Sequence, residues 1–154
     1  MQAQTTNERR ILFLCTGNSA RSIMAEAYMN FKGAPRWRAF SAGSKPTGRP
    51  NPLAIATLSA YGVNPEAPRS KSWDEFAAAS APAMDVVVTV CDSAAGEICP
   101  IWPLRGGRQP EKIHWSLPDP AAAQGSDSER RAEFEAVFAD IRGRIDAFLA
   151  ERPH

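Results

Sequence analysis

The segment from Cys15 to Ser22 contains the residue types needed to bind and attack a tetrahedral oxyanion. Five residues separate a cysteine, which can act as a nucleophile, from Arg21, whose planar fork can hold two oxygens. Consecutive backbone N–H groups in a tight loop at a helix N-terminus form an anion cradle. We therefore expect Cys15 to attack an oxyanion that is held by Thr16, Gly17, Asn18, Ser19, Ala20, Arg21 and Ser22.

The same surroundings lead to a prediction for the ionisation of Cys15. Positive charge and amide dipoles lower the pKa of a thiol, so we expect a thiolate at neutral pH, hydrogen-bonded by Ser22. Asn18 and Ser19 would brace the loop. The alternative is a core cysteine beside a surface arginine. The segment lacks the Gly-Lys-Ser/Thr ending of a nucleotide-binding P-loop, which argues against a nucleoside triphosphate site.

Asp119 and Pro120 form the second candidate site. An attacked oxyanion expels an oxygen faster when that oxygen is protonated, and a carboxyl group can supply the proton. The residues alone favour a simpler alternative, in which Asp119 caps a helix and Pro120 occupies its first position.

Two further cysteines follow the third predicted strand. Cys91 comes directly after the β-branched run 86–90, and Cys99 follows across a stretch that contains Gly96. Strands of a parallel sheet end at one edge, so Cys91 should lie at the same edge as Cys15. Two thiols near a nucleophilic third suggest thiol–disulfide exchange. The alternative is a pair of inert loop cysteines.

Strand and helix patterns alternate along the chain. Strands are predicted at residues 11–14, 37–42, 86–90 and 112–115, and helices near 20–32, 52–61 and 72–79, with a last helix after a capping-box pattern at 126–129. This order predicts a single α/β domain, residues 10–150, with a four-stranded parallel sheet and helices on both faces. Residues 1–9 are expected to be a flexible lead-in.

Composition excludes several function classes. The 154 residues carry a net charge of +1, which favours neither nucleic acid nor an anionic membrane surface. No apolar run approaches the roughly 20 residues of a membrane span, and the N-terminus has no signal-peptide pattern. We expect a cytoplasmic protein without structural disulfides. His114 and His154 lack zinc-ligand spacing with the cysteines, so no catalytic metal is expected.

These residues resemble a known family. The run Cys15–Ser22 with Met24-Ala25-Glu26, the triplet Ser41-Ala42-Gly43 and the pair Asp119-Pro120 are similar to the low-molecular-weight protein tyrosine phosphatase superfamily. The arsenate reductase branch is the better match, because Val87–Cys91, Cys99-Pro100 and His114-Trp115 resemble reductases that use three cysteines. The resemblance extends from Ile11 to about Leu149 and implies a phosphatase-like fold.

The resemblance implies an activity and roles for these residues. Cys15 would attack arsenate, Asp119 would be the general acid, and Cys91 and Cys99 would complete a thiol–disulfide relay that releases arsenite. Thioredoxin or a glutaredoxin-type protein would be the reductant, and the protein would be a monomer. No cofactor is implied except a structural potassium ion. Its ligands would be Asn18, Glu26, Ser41 and Asp74, although Glu26 could instead only brace the loop.

Three departures from the family keep alternatives open. Alanines at 121–123 replace the aromatic residues that flank a phosphotyrosine ring, the spacing from Cys91 to Cys99 is slightly long, and Ala20 stands where cysteine is frequent. The first alternative is a low-molecular-weight tyrosine phosphatase that forms a phosphocysteine on Cys15. The second is a non-catalytic module that binds an oxyanion or a phosphoprotein.

Overall fold

Four parallel strands form the centre of the protein. The computed structural model describes residues 8–65, 67–91, 102–104 and 106–152. The strands are β1 (Arg9–Leu14), β2 (Trp37–Ala42), β3 (Val86–Thr89) and β4 (Glu111–His114). They lie in the order β2-β1-β3-β4, with every pairing parallel. The predicted four-stranded parallel sheet is confirmed, and β1 begins at Arg9, inside the predicted lead-in.

Helices cover both faces of this sheet. They are α1 (Arg21–Gly33), α2 (Pro52–Ala60), the short α3 (Asp74–Ala77) and the long α4 (Asp127–Glu151), and a 3₁₀ turn spans Pro120–Ala122. Ser126 and Glu129 cap α4 reciprocally, as their capping-box pattern predicts. No helix among the described residues combines the length and apolar character needed to cross a membrane.

The alternation of side chains along β1 explains why both faces are covered. Successive residues of a strand point to opposite faces. Ile11 and Phe13 join one buried cluster, which α1, α2 and α4 cover, whereas Leu12 and Leu14 join another that contains Phe76 of α3. Because both faces are apolar, residues 11–14 of β1 form a continuous hydrophobic run in the centre of the sheet. The loop that follows it is thereby fixed at the carboxyl edge of the sheet.

Candidate active site

The loop after β1 is held by hydrogen bonds from the neighbouring chain. Its carbonyl groups at Thr16, Gly17 and Ser19 accept from the amides of residues 45, 47 and 51, respectively. In a trans peptide the C=O and the next N–H point in opposite directions. The amides of Gly17, Asn18 and Ala20 therefore point away from this flanking segment, toward the concave side of the loop. Helix α1 starts at Arg21 without a side-chain cap, which leaves its first amides available for an anion.

Gly43 allows β2 to pass directly against this loop. A Cβ atom at that position would lie 2.4 Å from the carbonyl oxygen of Thr16 and 2.6 Å from that of Cys15. Both contacts are with backbone, which cannot rotate away. The triplet Ser41-Ala42-Gly43 is part of the family resemblance in the sequence. The close approach of the two backbones explains why its third residue is glycine.

Asn18 braces the loop from beneath. It has a positive φ of 46°, which asparagine tolerates better than most residues, and it is fully buried. Its Nδ2 donates to Ser22 Oγ at 2.8 Å and to Ser41 Oγ at 3.0 Å, and its Oδ1 accepts from the amide of Lys71 at 2.8 Å. The side chain of Asn18 is thus committed to the brace, so its backbone N–H is the group that could contact an oxyanion.

A pocket of about 590 Å³ opens above the loop. It brings together four of the five predicted catalytic residues. The fifth, Cys99, lies outside the described residues. No aromatic side chain lines this pocket within the described part of the chain. The lining consists of Cys15, Thr16, Gly17, Ser19, Ala20, Arg21, Thr47, Cys91, Leu117, Pro118, Asp119 and Ala121.

Arg21 and Asp119 face each other across this pocket. The Arg21 guanidinium donates through Nη1 to the carbonyl of Leu117 at 2.9 Å, and its Nη2 lies 3.9 Å from Asp119 Oδ2. The other carboxylate oxygen of Asp119 accepts from the amide of Ala121 at 2.9 Å. Asp119 therefore caps the 3₁₀ turn, and its second oxygen is directed to the pocket. The geometry is compatible with both interpretations of Asp119, as a helix cap and as a general acid, because the cap fixes the carboxylate beside Arg21.

Cys91 lies against Cys15. Both are buried free thiols. The amide of Thr16 donates to Cys91 Sγ at 3.4 Å, the Thr16 hydroxyl lies 3.7 Å from the same sulfur, and the two cysteines are hydrogen-bonded. This juxtaposition follows from the parallel pairing of β1 with β3, which places the ends of the two strands side by side.

The pKa of Cys15 is the point at which the structure departs from the sequence prediction. The hydrogen bond that the Cys15 thiol donates to Cys91 sulfur, together with burial, raises the pKa of Cys15 above its ordinary value, and these two effects outweigh Ser22 and Arg21, which lower it. The direction of this effect opposes the predicted thiolate, which stays a prediction. The prediction counted the loop and Arg21 but not the second thiol, which comes from another strand.

Removing the Cys91 thiol should lower the pKa of Cys15. In Cys91→Ala the largest contribution that raises this pKa is gone, whereas Ser22 and Arg21 remain. The midpoint of Cys15 alkylation against pH should move down, so that alkylation below the wild-type midpoint becomes faster. Mass spectrometry of the Cys15 peptide at a series of pH values measures this rate. An unchanged or higher midpoint in Cys91→Ala would contradict the proposed coupling of the two thiols.

The predicted potassium ligands are only partly brought together. Asn18, Glu26 and Ser41 form one hydrogen-bonded group, because Ser41 Oγ donates to Glu26 Oε1 and accepts from Asn18. Asp74 is exposed, at the start of α3, where its amide bonds the Ser72 hydroxyl. The group also contains Lys71, which sequence reasoning missed because nothing in the local sequence distinguishes this lysine from a surface residue.

Comparisons with known proteins identify the family of this chain. Residues 10–152 match the family model of low molecular weight phosphotyrosine protein phosphatase. An arsenate reductase of Halalkalibacterium halodurans is 37% identical over 142 residues, which cover 92% of this chain and 96% of that protein.

Two solved structures, one of an arsenate reductase and one of a phosphatase, share the fold of this chain with nearly equal TM-scores. An arsenate reductase from Archaeoglobus fulgidus superimposes with a TM-score of 0.71 and 26% identity, covering 91% of this chain and 98% of the other. A low molecular weight protein tyrosine phosphatase from T. tengcongensis gives a TM-score of 0.70 and 25% identity, with coverage of 94% and 99%. The chain belongs to the low-molecular-weight protein tyrosine phosphatase superfamily, in its arsenate reductase branch.

Proposed function

We propose that this protein reduces arsenate to arsenite. The observation that carries the proposal is the contact between Cys91 and Cys15 inside a pocket that also contains Arg21 and Asp119. Hydrolysis of a phosphoester through Cys15 requires no second thiol. Reduction of arsenic requires two electrons, and the thiols of Cys15 and Cys91 can supply them together by forming a disulfide.

The first step forms a bond between Cys15 sulfur and arsenic. The loop amides and Arg21 bind the arsenate dianion. Cys15 attacks as the thiolate, and the proton of its thiol can pass to an oxygen of the dianion. An As–O bond then breaks, and the departing oxygen leaves as water after Asp119 protonates it.

The second step transfers the electrons. Cys91 attacks Cys15 sulfur, an S–S bond forms, and the electron pair of the Cys15–arsenic bond passes to arsenic, which leaves as arsenite. Cys99 would then attack Cys91, release Cys15 as a thiol and leave a Cys91–Cys99 disulfide. A dithiol protein such as thioredoxin or a glutaredoxin-type partner would reduce that disulfide. The reaction consumes two thiols for each arsenate, and it yields arsenite, water and one disulfide.

Steady-state turnover distinguishes this activity from its alternatives. The purified protein should reduce arsenate continuously when thioredoxin, thioredoxin reductase and NADPH are supplied. Slow hydrolysis of an aryl phosphate is expected beside it, because Cys15, Arg21 and Asp119 suffice for that reaction. Fast phosphotyrosine hydrolysis without arsenate reduction would contradict the proposal, and among the described residues no aromatic side chain lines the pocket for that substrate. Absence of both activities would favour a binding module.

Replacing Asp119 by Asn should separate chemistry from binding and stability. Asparagine is as good an N-cap as aspartate, so the 3₁₀ turn at Pro120 should persist. It cannot donate the proton, so single-turnover arsenate reduction should slow by roughly a hundredfold or more. Phosphate affinity and the thermal midpoint should stay close to the wild-type values. Rapid-quench kinetics, calorimetric titration and thermal unfolding of the same sample provide the three readouts.

A wild-type rate in Asp119→Asn would limit Asp119 to a capping role. Asp119→Ala serves as the comparison, since it removes both the proton donor and the cap. If the cap alone mattered, only the alanine variant would be slow.

A further inference from the structure

Lys71 is a buried cation beneath the oxyanion loop. Its side chain is 8% exposed, its Nζ lies 3.6 Å from Glu26 Oε1, and it donates to the carbonyl of Arg69 at 2.9 Å. Burial lowers the pKa of Lys71, and the carboxylate of Glu26 partly offsets that effect. A buried ammonium group is unfavourable unless oxygens surround it. The carboxylate of Glu26 and the carbonyl of Arg69 provide such oxygens for Lys71.

Hydrogen bonds connect this ion pair to the loop. Glu26 Oε1 accepts from Ser41, and Ser41 Oγ accepts from Asn18 Nδ2. The second hydrogen of the Asn18 amide goes to Ser22 Oγ. The four residues from Lys71 to Asn18 therefore form one continuous path that ends on Ser22.

Ser22 completes the path to the reacting sulfur. Because its oxygen accepts from Asn18, its own hydroxyl hydrogen can point to Cys15, and this hydrogen bond lowers the pKa of the Cys15 thiol. The Lys71 side chain does not line the pocket that contains Cys15, so we expect its influence on the sulfur to pass through this path.

The potassium ligands implied by the family resemblance do not fit an added ion here. Glu26 and Ser41 already bond each other, and the Asn18 carbonyl oxygen accepts from the backbone of Lys71. The ammonium of Lys71 contacts a carboxylate oxygen of Glu26 and the carbonyl oxygen of Arg69. Carboxylate and carbonyl oxygens are also the kinds of ligand that would bind a potassium ion. Asp74, the fourth expected ligand, is exposed at the start of α3.

We propose that Lys71 replaces the potassium ion as a tethered cation and, as a positioning residue, holds Ser22 against Cys15 through Glu26, Ser41 and Asn18. The protein should therefore work without potassium. Loss of the ammonium group should create a potassium requirement, since a surface pocket of about 360 Å³ over Glu26 and Lys71 gives an ion access. The proposal rests on the proposed function only for its arsenate readout.

Lys71→Met tests this directly, because methionine fills similar space without charge. The backbone of Lys71 would keep its bonds to Asn18 and Gly43. In choline chloride, kcat for arsenate should fall roughly tenfold. This is the lower end of the loss in activity expected when a residue that orients the ligands of an ion is replaced. Exchange of choline for potassium at constant ionic strength should restore most of that loss, whereas lithium should not. Wild type and Lys112→Met, which alters an exposed lysine, should not respond to potassium.

Two further readouts do not need arsenate. The midpoint of Cys15 alkylation in Lys71→Met should rise, because a displaced Ser22 no longer lowers the pKa of Cys15, and potassium should return it toward the wild-type value. The thermal midpoint of Lys71→Met should rise with potassium, since an ion that binds only the folded chain stabilises it. Aryl phosphate hydrolysis should show the same potassium response, which separates this proposal from the question of arsenate reduction.

Specific results would overturn the proposal. A wild-type protein that itself needs potassium would do so, as would a Lys71→Met variant with an unchanged alkylation profile and no potassium response. If Lys71→Met does not fold in any salt, Glu26→Gln decides the matter. Without the carboxylate, the alkylation midpoint should rise and potassium should not correct it. An unchanged midpoint in Glu26→Gln would refute the path from Lys71 to Cys15.

Discussion

Replacing Cys91 by Ser should abolish multiple-turnover arsenate reduction, with a loss of about a thousandfold or more, the scale expected when a residue that makes or breaks a covalent bond is removed. Serine has nearly the same size and keeps the contact with Thr16, but it cannot form a disulfide with Cys15. Arsenate should remain attached to Cys15, and arsenite should not be released. NADPH consumption in the coupled thioredoxin assay measures the turnover.

Aryl phosphate hydrolysis by the same variant is the internal control. That reaction needs Cys15, Arg21, Asp119 and water, so its rate should equal or exceed the wild-type rate. An increase is expected near neutral pH if loss of Cys91 lowers the pKa of Cys15. Undiminished arsenate turnover in Cys91→Ser would contradict the relay, whereas loss of both reactions would indicate damage to the loop.

Replacing Arg21 by Lys should weaken phosphate binding by roughly a hundredfold, which corresponds to about 2.8 kcal/mol. The Arg21 side chain is only 15% exposed and is held between Leu117 and Asp119 at the rim of the pocket. A lysine ammonium keeps the charge but cannot present two parallel N–H groups to one oxyanion. Calorimetric titration of the reduced protein with phosphate measures the change.

The control for this prediction is Arg131→Lys, which alters an exposed arginine of α4. That variant should bind phosphate as the wild type does. Equal affinity in Arg21→Lys would show that the loop amides alone hold the anion, and that Arg21 serves only to tie the loop to Leu117.

The sequence predicted the features that depend on local pattern. Val86–Thr89 was recognisable because β-branched residues favour strands, and the buried run of β1 because both faces of a parallel sheet are covered. Cys15 and Arg21 were recognisable because a loop and the start of its helix lie together in the chain. Ser126 and Glu129 were predicted to cap α4 for the same reason.

Features that depend on distant contacts were missed. The contribution of Cys91 to the pKa of Cys15 was missed because Cys91 approaches from another strand. Lys71 was missed because its partner Glu26 lies on α1, and only the fold brings the two together. Cys99 lies outside the described residues, so the final exchange of the relay stays a prediction.

The most direct test of the relay is the disulfide that one arsenate turnover leaves in Cys99→Ser. Without Cys99, the second exchange cannot occur, so Cys91 should remain bonded to Cys15 after one arsenite is released. The reduced variant would be mixed with arsenate, quenched in acid with an alkylating agent and mapped by mass spectrometry. We expect one Cys15–Cys91 disulfide for each arsenite formed. Release of arsenite while both Cys15 and Cys91 remain alkylatable thiols would contradict the proposed reaction.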